Sequence, residues 1–181
     1  MCQTKNVMSL TPKTPHESLT IQTHLVMPND ANQLGNLFGG QLMAWMDEVA
    51  SITAFRHCGN VAVTASINNV SFTQPIPLGS YVILESKVSR AFNTSMEIFV
   101  DVYLETRDGN RSKCNEAIFL FVAMDEDGKP LPVPQLNPVT TEEKKRFEGA
   151  LRRKQLSLIL SGRMNPDDAT EIKKLFVPLT N

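Results

Sequence analysis

Asn32, the pair Gly39-Gly40 and Asp47 fall together in the stretch NQLGNLFGGQLMAWMDE, residues 32–48, and their types fit one kind of chemistry. A carboxylate arriving as an apolar run matures must face water or be kept for a purpose, because an unpaired buried charge is costly. Such a group can deprotonate a water or attack a carbonyl itself, and an amide can position either reactant. The first N–H groups of a helix have no intrahelical acceptor, so they can polarise a carbonyl, and glycine keeps side chains out of the way. These groups suffice for hydrolysis of an activated acyl group such as a thioester. Each also has a plainer explanation. The glycines fit helix entry and close packing, Asn32 fits a turn, and Asp47 fits an exposed carboxylate or one paired with Arg56 or a lysine.

Other machineries for hydrolysis or cofactor chemistry are missing. The chain has no GxSxG elbow, HExxH, GxxxxGK[ST], or GxGxxG following a strand. His57 lies ten positions from Asp47, nearly three helical turns, so a local Asp/His couple is unsupported. His16, His24 and His57 are dispersed, and Cys2, Cys58 and Cys114 are odd in number and far apart. Neither set has metal-site or disulfide spacing, so the cysteines are read as free thiols and no metal is expected.

The elements that must position these residues follow from periodicity. LTIQTHLVM, residues 19–27, alternates Leu19, Ile21, Thr23 and Leu25 against Thr20, Gln22 and His24, the period of a half-buried strand that Pro28 ends. PNDANQLGN supplies turn chemistry. The spacing of Leu42, Met46, Val49 and Thr53 then predicts a helix from the glycines to about His57, stopped by Gly59. Ala44, Trp45, Ile52 and Phe55 make nearly its whole circumference apolar, so it is expected to be surrounded by protein. Asp47 shares a side with Met43, Ala50 and Ala54, whose small members leave room for a ligand. Residues 61–72, 80–91, 94–106 and 113–125 read as four antiparallel strands, with RDGNR as a hairpin signal.

The prolines of DEDGKPLPVPQLNP end the strands, and TTEEKKRFEGALRRKQLSLIL reads as a helix capped by Thr141 with Phe147, Leu151 and Leu158 as its apolar stripe. Its Lys144, Lys145, Arg146, Arg152, Arg153 and Lys154 could meet phosphates, although such a run is usually a solvated face. One more short helix is expected in residues 164–181. The organisation is a flexible arm over 1–17, an α+β domain over 18–135, and a proline-rich linker with a helical extension over 136–181.

With 181 residues, 41% hydrophobic and 20% charged, and a net charge of -1, the chain reads as one globular domain with tails. No basic field points to nucleic acid. No apolar run reaches the roughly 18 residues of a membrane span, and the N-terminus lacks the apolar core of a secretory signal, so a cytoplasmic protein is expected.

PNDANQLGNLFGGQLMAWMDE, followed by VTASINNVSFTQPIPLGSYVILESKVSRAFNTSMEI, resembles the hotdog-fold acyl-coenzyme A thioesterases, the group of bacterial and cytosolic brain-type acyl-CoA hydrolases. The resemblance covers roughly residues 19–135. It implies a long helix wrapped by an antiparallel sheet, homodimers paired through their sheets, and trimers of dimers as a homohexamer. It implies a site at the dimer interface, with Asn32 from one subunit, Asp47 from the other as general base or nucleophile, and the Gly40 N–H polarising the carbonyl. Coenzyme A, part of the substrate rather than a cofactor, would lie along Gly39, Thr64, Ser66, Arg90, Asn93, Thr94 and Ser95. Ser66-Ile67-Asn68 stands where many relatives carry an acid, and Phe92-Asn93 where many have glycine. Alternatives on the same fold are a non-catalytic acyl-CoA regulator, for which no DNA-binding segment is apparent, and a dehydratase, for which no histidine lies near the helix start.

Overall fold

The computed structural model describes residues 10–72, 74–106 and 108–176. It divides into two compact units, residues 1–137 and residues 138–181. In the first, five strands form one sheet: β1 (Thr20–Leu25), β2 (Ala62–Phe72), β3 (Tyr81–Ala91), β4 (Ser95–Glu105) and β5 (Arg111–Ala123). Their order is β1-β3-β4-β5-β2, every neighbouring pair antiparallel. The long helix α1 (Gly39–Cys58) packs on one face. This is the expected hotdog arrangement.

Burial, rather than intrinsic propensity, holds α1 in place. It opens on two glycines and contains β-branched residues, yet Leu42, Met46, Val49, Ala50, Thr53 and Ala54 are all buried. They meet a sheet face that includes Val82, Leu84, Val88, Ile98, Val100, Phe119 and Phe121. Fully burying each large apolar side chain is worth about 1.5–3 kcal/mol. Gly59 ends the helix at φ 69°, with its N–H donating to Phe55 O at 2.7 Å.

Two expectations change. Within one chain α1 is not enclosed all round: Gly40, Ala44, Glu48 and Phe55 form an exposed stripe. In β1 the alternation holds, but Thr20, Gln22 and His24 face the helix while Ile21, Thr23 and Leu25 are exposed. In that polar row the His24 ring stacks on Trp45 at 4.3 Å and 9° and Gln22 Nε2 donates to Glu48 Oε1 at 3.4 Å, while Gln22 Oε1 and His24 Nε2 are buried without a hydrogen-bond partner among the described residues.

The stretch before β1 is tied down from Lys13 onward, although the composition suggested an arm reaching residue 17. Lys13 N donates to Gln135 O at 2.9 Å and Asn137 N to Lys13 O at 2.8 Å. Lys13 Nζ donates to the Arg56 and His57 carbonyls at 3.0 and 2.8 Å, where the C-terminal end of α1 favours a cation. Ser18 Oγ accepts from Val88 N at 3.1 Å. The arm's first nine residues, Cys2 among them, lie outside the described residues; Cys58 and Cys114 are buried free thiols.

In the second unit, α2 (Thr141–Leu160) is capped by Thr140, one residue earlier than its composition suggested. Thr140 Oγ1 accepts from Glu143 N at 3.2 Å and Glu143 Oε2 accepts from Thr140 N at 3.0 Å, a reciprocal box. Within the basic run, Arg146 pairs with Glu142 at 2.7 Å. The expected short helix is α3 (Thr170–Lys173), whose first turn is held by Gln155 Oε1 accepting from Glu171 N at 2.9 Å.

Candidate active site

The loop before α1 is folded by Asn32 itself. Its Oδ1 accepts from Leu34 N at 2.9 Å and Asn36 N at 3.3 Å, and its own N–H donates to Asn36 O at 2.7 Å. With the oxygen committed to the turn, the NH2 of the exposed Asn32 amide makes no hydrogen bond among the described residues. Leu37 N donates to Ile76 O and Phe38 N to Asp30 O, both at 2.7 Å, fixing the entry into the helix.

No side chain caps α1, and Phe38 O takes the N–H groups of Gln41 and Leu42. The Gly39 and Gly40 N–H groups have no acceptor among the described residues, the state an anion or polarised carbonyl requires. A Cβ on Gly40 would lie 2.8 Å from Phe38 Cε1, so that ring leaves no room for a side chain at the second glycine. Asn32 and Gly39 line one cavity of about 290 Å³, together with Leu37, Leu42, Phe72 and Ile76.

Asp47 does not line that cavity. It stands eight positions further along α1 than Gly39, about 12 Å at the helical rise. Its Oδ1 accepts from Thr64 Oγ1 at 2.7 Å, and it makes no other hydrogen bond or ion pair among the described residues. Pairing with Arg56 is excluded, since that guanidinium donates to Leu19 O and Thr20 Oγ1. Thr64 sits just before a bulge in β2, where the register against β5 shifts. One chain therefore places a donor set with a cavity at the helix start and a hydrogen-bonded carboxylate further along, apart from each other.

The remaining coenzyme A candidates divide similarly. Thr64 serves Asp47, and Ser66 Oγ accepts from Asn68 Nδ2 at 3.4 Å. Arg90 lies over the Phe92 ring at 5.9 Å. Phe92 N donates to Ser95 O at 2.8 Å, closing the β3–β4 hairpin, while Val133 N and Ala123 N donate to Asn93 O and Thr94 O. The register Met96–Phe121–Thr64 puts that hairpin at the Thr64 end of the sheet, about 10 Å away across β5.

Sequence reasoning missed Thr64 as the partner of Asp47, and it missed Asn36, Gln74 and Asn115 in the cavity wall. The Asn32–Asn36 spacing was an available sign of a side-chain-closed turn; Asn115 showed only as one amide in the apolar run CNEAIFLFVA. Among the described residues no group of three His, Cys, Asp or Glu is placed to hold a metal ion, and no helix is long and apolar enough to cross a membrane.

Residues 34–109 match the family model of the Thioesterase superfamily. The chain is 44% identical over 128 residues to an uncharacterized acyl-CoA thioester hydrolase of Bacillus subtilis, covering 70% of this chain and 74% of that protein. The chain belongs to the thioesterase superfamily. Within that superfamily it is also 40% identical to the cytosolic acyl coenzyme A thioester hydrolase of Rattus norvegicus; the match covers 78% of this chain but only 38% of that longer protein. A hexameric acyl-CoA thioesterase superposes with a TM-score of 0.78 at 43% identity, covering 80% of this chain and 93% of its own. The Staphylococcus aureus acyl-CoA hydrolase, solved with butyryl coenzyme A and coenzyme A, matches with a TM-score of 0.78 at 34% identity, covering 83% and 94%. That enzyme was also solved as alanine variants of an asparagine, an aspartate and a threonine, successively fifteen and seventeen positions apart. Asn32, Asp47 and Thr64 have the same separations.

Proposed function

We propose that this thioesterase-superfamily chain hydrolyses acyl-CoA to a free carboxylic acid and coenzyme A, at a centre shared between two copies. The observation that carries the reading is the Thr64–Asp47 hydrogen bond, at 2.7 Å, between residues whose spacing to each other and to Asn32 matches the substituted triplet of the S. aureus hydrolase. Thr64 fixes one carboxylate oxygen and leaves the other to act. Asp47 then takes a proton from water as that water attacks the thioester carbonyl, or attacks the carbonyl itself to form a mixed anhydride that water hydrolyses to the free acid after coenzyme A has left. The Gly40 N–H and the Asn32 NH2 receive the charge that develops on the carbonyl oxygen. The C–S bond breaks, and coenzyme A leaves as a thiolate that is then protonated.

The separation of Asn32 and Gly39 from Asp47 within one chain supports a shared centre. So do Val63 and Ile67, exposed along the open edge strand β2, and the uncovered stripe of α1. A dimer closed by that edge would bring the donors of one copy toward the carboxylate of the other, and three such dimers would build a hexamer. Ser66 and the hairpin from Arg90 through Asn93, Thr94 and Ser95 would hold coenzyme A, with no group beyond the substrate required. The protein would act in the cytoplasm. Release of free thiol from acyl-CoAs between acetyl and palmitoyl tests the reading: turnover that Asp47→Ala abolishes supports it, and turnover of none of them, or undiminished turnover in Asp47→Ala, contradicts it.

A further inference from the structure

Along β3 the side chains facing α1 are Val82, Leu84, Ser86 and Val88, all fully buried, and unbroken alternation would put Arg90 next in that row. A bulge prevents it. The β3–β4 register runs from Val88 opposite Ile98 directly to Arg90 opposite Glu97, with Ser89 as the extra residue. Met96 and Ile98 face the helix and are fully buried, so Glu97 between them points to the other face of the sheet, and Arg90 turns there with it. Ser89 Oγ donates to Glu97 Oε1 at 2.6 Å and lies 3.1 Å from Glu97 O, and both residues are 5% exposed. A serine–carboxylate clasp thus coincides with the point where the guanidinium changes face. Cross-strand partners stand about 5 Å apart at Cβ, which puts Arg90 and Glu97 within reach of each other. Beyond the bulge Arg90 lies over the Phe92 ring at 5.9 Å, where the hairpin closes.

Resting on the hydrolase reading above and its placing of coenzyme A at this hairpin, we propose that Glu97, held by Ser89, is a positioning residue that fixes the Arg90 guanidinium for a phosphate of coenzyme A. A guanidinium has five N–H donors in a planar fork. One edge against Glu97 holds that plane and leaves the other edge to the phosphate. Unheld, the side chain would lose its rotamer freedom only when the substrate binds, at a cost to affinity. With the hairpin about 10 Å from Thr64 across β5, the pair acts on the nucleotide end of the substrate and not on the thioester. A carboxylate that merely stood nearby would repel the phosphate, so the sign of the effect separates the two roles.

The test compares kcat/KM for the acyl-CoA that the chain hydrolyses fastest with kcat/KM for the S-acyl pantetheine of the same acyl group, which lacks the phosphates. In Glu97→Gln the ratio of the two is expected to fall about tenfold, the worth of one hydrogen bond to a charged group, and the loss should appear as a higher KM for the acyl-CoA rather than a lower kcat. Arg90→Ala should lower the ratio at least as far. The double variant should go no further than Arg90→Ala alone, because Glu97 acts through the guanidinium. Ser89→Ala loosens the same clasp and should lower the ratio by a smaller factor, which keeps the test decisive if Glu97→Gln does not fold. A ratio unchanged or raised in folded Glu97→Gln or Ser89→Ala, an unchanged ratio in Arg90→Ala, or losses that multiply in the double variant would overturn the positioning role alone. Failure of the unaltered chain to hydrolyse any acyl-CoA would overturn the hydrolase reading beneath it.

Discussion

Thr64→Val is the sharpest single probe of how Asp47 works. Valine keeps the shape of the side chain and removes only the hydroxyl that donates to Asp47 Oδ1 at 2.7 Å. Hydrogen bonds to charged groups contribute about 1.5–3 kcal/mol, and the exposure of Thr64 puts this one at the lower end. A loss near 1.5 kcal/mol from the transition state is about a tenfold fall in kcat. Asp47→Asn removes the base or nucleophile itself and should cost a factor of about a hundred or more. Because Thr64 acts through the carboxylate, the double variant should be no slower than Asp47→Asn alone. Thiol release at saturating acyl-CoA, with each variant checked for folding, gives the three rates. Losses that multiply in the double variant would refute the reasoning, as would full activity in Thr64→Val.

Other outcomes follow from the fold. Gly59→Ala forces a side chain into a left-handed backbone at φ 69° and should cost about 1 kcal/mol, lowering the melting temperature by about 3 °C. His57 is fully buried with Nε2 at 2.8 Å from the Pro134 carbonyl, and burial pushes its pKa below the usual histidine value, with that carbonyl acting the other way. The unfolded chain therefore binds the proton first. The contribution of a neutral His57 is complete above about pH 6.5 and is lost as the pH falls below it, so melting temperature should drop in mild acid. In His57→Gln that acid-side drop should be shallower, by thermal denaturation followed across the same pH range; an unchanged slope would contradict the assignment. Thr140→Ala should destabilise α2 by about 1 kcal/mol, read as faster amide exchange over its first turn.

Periodicity and punctuation carried most of the fold. Gly39-Gly40 open α1 and Gly59 closes it through a left-handed backbone, and the four later strands fall within two residues of their expected ends. What escaped the sequence was which way side chains face and what lies far along the chain. Alternation in β1 fixes a period of two, yet an edge strand can turn its polar row inward when an indole stacks on the histidine, as Trp45 does on His24. The Asp47 partner is seventeen positions away on another element, and a β2 bulge beside Thr64 sets that meeting. Asn115 comes to the cavity through the order of the sheet, which no local pattern encodes.

The central claim is that Asn32 and Asp47 serve each other's centres across two copies. Asn32→Ala and Asp47→Ala chains, each nearly inactive alone, can be co-refolded in equal amounts and assayed for thiol release from an acyl-CoA. Half of the random dimers pair the two variants, and each of those holds one intact centre of two, so about a quarter of the unaltered activity should return. If both residues act within a single chain, every centre in the mixture lacks one of them, and the activity would stay at the level of the separate variants.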